Sequence, residues 1–341
     1  MSDAVRNAIA TLADGGAPDQ AAITSAFNAI LGGEADPILI SAFLMGLRLK
    51  GESVDDITAA AAVMRARAKS VDAPDDVVDT CGTGGLGWTT LNTSTASAFV
   101  VAGAGGRVAK HGNRSVPPKT GSADVLEALG VNLTPSEAQF AACLEHARVA
   151  FMFAQAHHSA MRHVAPVRKM LGLRTIFNLL GPLSNPAGAK RQVLGVFDEA
   201  WVEPLAHVLK NLGSTRAMVV HGMGGLDEIS IAGDTKVAEL KDGAVTTYTL
   251  TPQALGLTPS PLETLKGGAP ETNAQAIRDL LDGAPGPFHD IVALNAGAAL
   301  YISDLADTLD QGLSMAKESL QSGAAKAALA ALVKHSNEAA A

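Results

Sequence analysis

Val77-Val78-Asp79-Thr80-Cys81-Gly82-Thr83-Gly84-Gly85 runs from a β-branched pair into a glycine-rich loop. Asn92-Thr93-Ser94-Thr95 then opens a small-residue helical stretch that extends to Ala104. A strand, a glycine loop and a helix in that order form the opening unit of an α/β domain. Glycines let main-chain N–H groups approach an anion closely, and the helix N-terminus adds its dipole. The spacing is neither that of the dinucleotide fingerprint nor that of a P-loop, because no Lys-Ser/Thr pair follows. Taken alone, the loop reads equally well as a tight structural turn, and the four polar residues as a simple helix cap.

Downstream, Val108-Ala109, 149–153, 192–197 and 217–220 read as buried strands, with helical patterns between them at 123–129, 199–212 and 274–281. This alternation predicts a mostly parallel sheet. Residues 237–250 read as two antiparallel strands that turn at Asp242-Gly243, and the Ala-rich stretch from Ile291 onward is mostly helical. Upstream the character differs. Residues 19–31 are apolar at helical spacing, Asp36-Pro37 supplies a cap and a first-turn proline for 38–49, and Ser53 with Asp56 forms a weaker capping box. No strand is expected before about residue 75. The expected architecture is a small all-helical domain, residues 1–72, followed by a larger α/β domain, residues 73–341, with helices around 158–180 at the junction.

The chain has 341 residues, of which 47% are hydrophobic and 18% charged, enough apolar material for a core and too little charge for disorder. Its net charge of −8 argues against a general nucleic-acid or anionic-membrane binder. Two cysteines cannot build a disulfide framework. No long uncharged apolar run is present, and Met1-Ser2-Asp3 does not begin a signal peptide, so a cytoplasmic protein is expected. The charge is unevenly distributed. Between Glu145 and Asp198 no residue is acidic, yet seven are cationic, and Arg107 to Lys119 holds four more cations and no acid. Such windows suit a pocket for an anionic small molecule, or otherwise a solvated basic face.

The second window contains Lys110-His111-Gly112-Asn113-Arg114, followed by Gly121-Ser122-Ala123-Asp124. Together with the Gly-Thr-Gly-Gly loop and the Asn92-to-Thr95 segment, this order and spacing closely resemble the anthranilate phosphoribosyltransferase family. The likeness extends through His158-Ser159-Ala160-Met161, Val164 to Arg168, Arg174 to Leu183 and His221-Gly222 to Asp227-Glu228-Ile229-Ser230. It covers nearly the whole chain and implies the nucleoside phosphorylase/phosphoribosyltransferase type of fold.

The resemblance also implies the reaction: 5-phosphoribosyl 1-diphosphate donates its phosphoribosyl group to the amine of anthranilate, in tryptophan biosynthesis. It assigns donor binding to Gly82, Gly85, Thr90, Asn92, Thr93, Ser94, Thr95, Lys110 and Ser122. Anthranilate falls to Gly82, His111, Asn113, Arg168 and Gly181, where a guanidinium can hold a carboxylate in two hydrogen bonds. Mg²⁺ falls to Ser94, Asp227 and Glu228, hard oxygens of the kind that cation prefers. The implied partners are these small molecules and a second copy of the chain, through the helical domain. Catalysis is expected to rest on positioning and leaving-group electrostatics. The arylamine is neutral at pH 7, so no strong base is needed, and His111 is expected to hydrogen-bond near the substrate.

The chain departs from the family's usual pattern at Leu86, where an aspartate is usual, and at Pro117-Pro118, where serines are usual. Proline brings neither N–H nor hydroxyl, so two phosphate contacts are lost, and Lys119 is expected to supply a cation there instead. These departures keep open a relative acting on another aromatic amine. A pyrimidine nucleoside phosphorylase would be longer and would lack Lys110-to-Arg114 followed by Gly121-to-Asp124. A non-catalytic nucleic-acid-binding relative fits poorly with an acidic chain that keeps Arg168, Asp227 and Glu228.

Overall fold

The computed structural model describes residues 2–84, 87–115 and 120–338. Four helices come first: α1 (Ser2–Ala13), α2 (Gln20–Leu31), α3 (Pro37–Lys50) and α4 (Val54–Arg67). Their starts follow from local chemistry. Asp19 Oδ1 accepts from Ala22 N at 2.7 Å and Asp36 Oδ1 from Ile38 N at 2.8 Å, each satisfying an otherwise orphaned N–H. Ser53 and Asp56 bond reciprocally, at 3.2 and 2.9 Å, so aspartate completes a full capping box at α4.

The larger region continues with β1 (Val78–Gly82), α5 (Thr93–Gly103), β2 (Val108–Gly112), α6 (Ser122–Ala128), α7 (Glu137–Ala142), β3 (Val149–Phe153) and α8 (Ala154–His157). Next come α9 (Ala165–Leu171), α10 (Phe177–Leu180), β4 (Arg191–Gly195), α11 (Val202–Asn211), β5 (Arg216–Gly222), β6 (Thr235–Lys241) and β7 (Ala244–Leu250). The chain closes with α12 (Pro270–Leu281), α13 (Pro287–Ile302), α14 (Leu309–Gln321) and α15 (Ala324–Asn337). The seven strands form one sheet in the order β3-β2-β1-β4-β5-β6-β7. The pairings from β3 to β5 are parallel and the last two antiparallel.

Strand alternation divides the core. Val193, Met218 and Val220 face a layer that includes α5, α13 and the C-terminal helices, whereas Leu194, Ala217 and Val219 face α11 and a core continuous with the helical bundle. Val164, Val167, Ile176 and Phe177 belong to that second core, so the segment around 158–180 packs between bundle and sheet.

Several boundaries differ from the sequence reading, and two of them are instructive. β2 runs on to Gly112, so Lys110 and His111 stand on the strand end and not in the loop beyond it. Their polarity hid this: both are buried, at 2% and 6% exposure, because specific partners satisfy them. α12 begins at Pro270, four residues before the apolar periodicity does, because its first turn is polar.

Candidate active site

In this strand order the chain moves outward from β1 to β3 on one side and then resumes at β4 on the other. The carboxyl ends of β1 and β4 therefore bound a crevice at a topological switch point, where ligands of open α/β sheets bind. Gly82 and Gly195 end the two strands as register partners. A Cβ on Gly82 would strike the Asp227 carboxylate, and one on Gly195 would strike the Asp227 main chain. Glycine at both positions lets the loop carrying Asp227 and Glu228 lie directly on the strand ends. Asp227 Oδ2 accepts from Gly84 N at 2.7 Å, joining that loop to the glycine loop.

A cavity of about 300 Å³ opens here. Its lining brings together Gly82, Thr90, Asn92, Ser94 and Thr95 from the β1–α5 connection. It also includes Lys110, His111, Asn113 and Ser122, with Asp227 and Glu228 opposite. Thr93 is buried beneath the lining, and its hydroxyl bonds Glu228. Arg168 and Gly181 lie outside the lining. Gly85, Leu86, Pro117, Pro118 and Lys119 lie outside the described residues.

Asn92 caps α5 without a side-chain cap bond. Its amide instead donates to Thr120 O at 3.1 Å and accepts from Asn273 Nδ2 at 2.8 Å. The cap bond from Ser or Thr that the sequence allowed does not form; the Glu228 carboxylate instead accepts from Ser94 N at the start of α5, where the helix dipole favours negative charge. Lys110 Nζ donates to Thr80 O and, at 3.3 Å, to Ser94 Oγ, placing a buried cation beside that helix start.

His111 continues β2 toward Gly181 and His158. Its ring bonds the Gly181 carbonyl, and its Nε2 lies 3.2 Å from Nε2 of His158. Burial lowers the pKa of His111 to about 3 and that of His158 to about 4, so both are neutral near pH 7. A neutral, hydrogen-bonded His111 is a poor candidate for a strong base. Arg168, on α9, lies over the Phe177 ring at 5.7 Å, which fixes the guanidinium plane.

The two carboxylates fit a divalent cation. Burial and the neighbouring Asp227 raise the Glu228 pKa to about 8, and Glu228 Oε2 is buried without a hydrogen-bond partner. An orphaned acceptor beside a second carboxylate and a serine hydroxyl forms a hard-oxygen set that a metal would relieve. Among the described residues no group of three or more His, Cys, Asp or Glu could hold a metal, so such an ion would share its shell with substrate oxygens.

The acid-free windows are only partly devoted to this site. Arg107 pairs with Asp76, Arg114 with Asp124 and Glu127, Lys190 with Asp75, and Arg191 with Asp304. Acids distant in sequence neutralise these cations, which sequence windows cannot reveal.

Three positioning residues escaped the sequence reading. Asp79, fully buried, accepts from His111 N at 3.1 Å and from Asn185 Nδ2 at 2.7 Å, tying β1 to β2 and to the loop after α10. Asn273 donates to Thr90 O at 2.9 Å as well as to Asn92. Asp79 lies within a quoted motif and Asn185 just beyond another, which was the available signal; Asn273 had none.

The pattern of the glycosyl transferase family, helical bundle domain, matches residues 6–68, and that of the glycosyl transferase family, a/b domain, matches residues 74–326. Anthranilate phosphoribosyltransferase of Hyphomonas neptunium is 55% identical over 339 residues, covering 99% of each chain. That of Parvibaculum lavamentivorans is 55% identical and covers 96% of each. Among solved structures, the Thermus thermophilus enzyme of that name superimposes with a TM-score of 0.92 at 43% identity, over 98% of this chain and 100% of that one. The Saccharomyces cerevisiae enzyme, in complex with PRPP and Mg, gives 0.88 at 26% identity over 97% of each.

Proposed function

The chain belongs to the anthranilate phosphoribosyltransferase family, and we propose that it moves the phosphoribosyl group of 5-phosphoribosyl 1-diphosphate to the anthranilate amine. The products are N-(5-phosphoribosyl)anthranilate and diphosphate. The observation that carries this reading is the convergence of the start of α5, the buried Lys110 side chain and the Asp227-Glu228 pair on one cavity. Cation and helix start suit the donor's anionic groups, and the paired carboxylates suit the magnesium that accompanies them.

In this reading Asn92 to Thr95 and Ser122 hold donor phosphate, and Lys110 offsets leaving-group charge. Ser94, Asp227 and Glu228 would hold Mg²⁺, which when bound neutralises diphosphate and makes it a better leaving group. Arg168 clamps the anthranilate carboxylate, while His111 and Asn113 orient the ring so that the neutral amine faces C1 of the ribose. As the C1–O bond breaks, positive charge develops on the sugar, as in glycoside chemistry. The C1–N bond forms from the amine lone pair, and the amine proton passes to solvent or departing diphosphate.

Gly85 and Lys119 complete the donor contacts in this proposal. The boundary between residues 72 and 73, a cytoplasmic location and a homodimer through the helical domain belong to it as well. The direct chemical test is mass spectrometry of a mixture of protein, Mg²⁺, donor and anthranilate. Appearance of the phosphoribosyl adduct is expected; its absence with folded protein would refute the proposal.

A further inference from the structure

Trp88 is one of two tryptophans in the chain, and it lines the cavity beside Thr89 and Thr90. The other, Trp201, packs against the core shared by the bundle and the sheet, whereas Trp88 belongs to neither core and is half-buried. An indole is the largest apolar surface a residue can offer, and leaving it in a polar, open cavity forgoes that burial in the free protein. Its backbone is nevertheless firmly set. Gly267 N donates to Thr89 O and Leu91 N donates to Leu265 O, each at 2.9 Å, and Thr90 bridges Lys266. Asn273 holds Thr90 O from below. The ring is thus carried at the cavity wall by a segment pinned next to it, an arrangement that lowers the ordering cost of binding.

We infer that Trp88 is a specificity-determining contact to the phosphoribosyl donor, its indole packing against the face of the ribose. The inference rests on the reaction proposed above. The donor half is favoured over the acceptor because Trp88 sits on the same short β1–α5 connection as Thr90, Asn92 and Ser94, whereas His111 and Asn113 enter the cavity from the end of β2 and Arg168 and Gly181 lie outside its lining. A flat apolar wall also completes a sugar phosphate site in which the cation, helix start and hydroxyls address only the charged ends.

The test uses Trp88→Ala, Trp88→Phe and a Trp201→Phe background. In the Trp201→Phe protein, titrating donor with Mg²⁺ and no anthranilate changes the emission of Trp88 saturably, and Trp88→Phe protein, which retains Trp201, shows no such change. In turnover, Trp88→Ala raises the donor KM about tenfold, as loss of an aromatic packing contact would. Its anthranilate KM stays within about twofold, and Trp88→Phe recovers most of the loss. A silent Trp88, an unchanged donor KM, a rise confined to anthranilate, or a Phe variant as poor as Ala would each overturn the inference. Absence of turnover in the wild-type protein would instead count against the reaction, which separates the two failures.

Discussion

Single side chains set the chemistry at this crevice, and each can be addressed separately. Arg168 is assigned the acceptor carboxylate, so Arg168→Ala should raise the anthranilate KM by on the order of tenfold or more while moving the donor KM little. A rise in the donor KM instead would reassign the residue. Glu228 keeps an orphaned buried oxygen and a pKa raised to about 8 by burial and Asp227. Glu228→Gln removes that repulsion, so the variant should fold as stably as the parent without Mg²⁺. Donor with Mg²⁺ should then give it a smaller rise in Tm, since ligand stabilisation scales with affinity; an unaltered rise would reject Glu228 as a ligand. His158 titrates with the opposite sign to a salt-bridged histidine. Its folded pKa, about 4, lies below the ordinary 6.5, so the unfolded chain takes up its proton first and stability is lost as pH falls from about 6.5 towards 4. The Tm of His158→Asn relative to wild type should therefore rise as pH is lowered through that window. A pH-independent difference would contradict the burial argument.

At the scale of elements, the decisive feature is that two strands end in glycine where a loop must lie on them. Gly195→Ala puts a methyl into the Asp227 main chain, so it should cost about 1–3 kcal/mol of stability. It should also cut activity by at least roughly tenfold by displacing both carboxylates, since small misplacements near reacting groups are costly. Near-normal activity in a folded variant would show that the loop accommodates elsewhere. The order of elements was legible in the sequence because buried parallel strands are short apolar runs and the helix starts carry recognisable caps. β3 coincides with the expected 149–153, and the turn at Asp242-Gly243 joins β6 to β7 as read. What escaped was set by tertiary partners. β2 looked two residues long because nothing local shows that Lys110 and His111 will be buried against Thr80, Ser94 and His158. Asp79 stands within the first motif with no role evident from its neighbours, although it joins β1 to segments more than 30 residues away. The motifs placed most donor-site candidates on one cavity, but adjacency in sequence could not distinguish Thr93, which lies beneath the lining, from Ser94, which lines it.

At the scale of the whole molecule, an acidic chain surrounds a cavity meant for anions. The net −8 is an excess of carboxylates over cations, and acids pair with Arg107, Lys190 and Arg191 away from the cavity and with Arg114 at its wall. Lys110 and Arg168 are the described cations proposed to meet substrates. The helical bundle exposes Ile38 and Leu49 on α3, at 78% and 83%, and Met170 is exposed on α9, which packs against α3. If this face joins two copies, Leu49→Asp should shift sedimentation to the monomer without unfolding the bundle, because the side chain is already outside its core. An unchanged dimer would move the interface elsewhere. The central claim is that this crevice joins anthranilate to a phosphoribosyl donor. Anthranilate is fluorescent, and its emission followed in time after mixing with protein, Mg²⁺ and 5-phosphoribosyl 1-diphosphate tests that claim most directly. The account predicts a progressive loss that requires both donor and Mg²⁺ and slows sharply in Glu228→Gln. Constant emission with folded wild-type protein and both cosubstrates would contradict it.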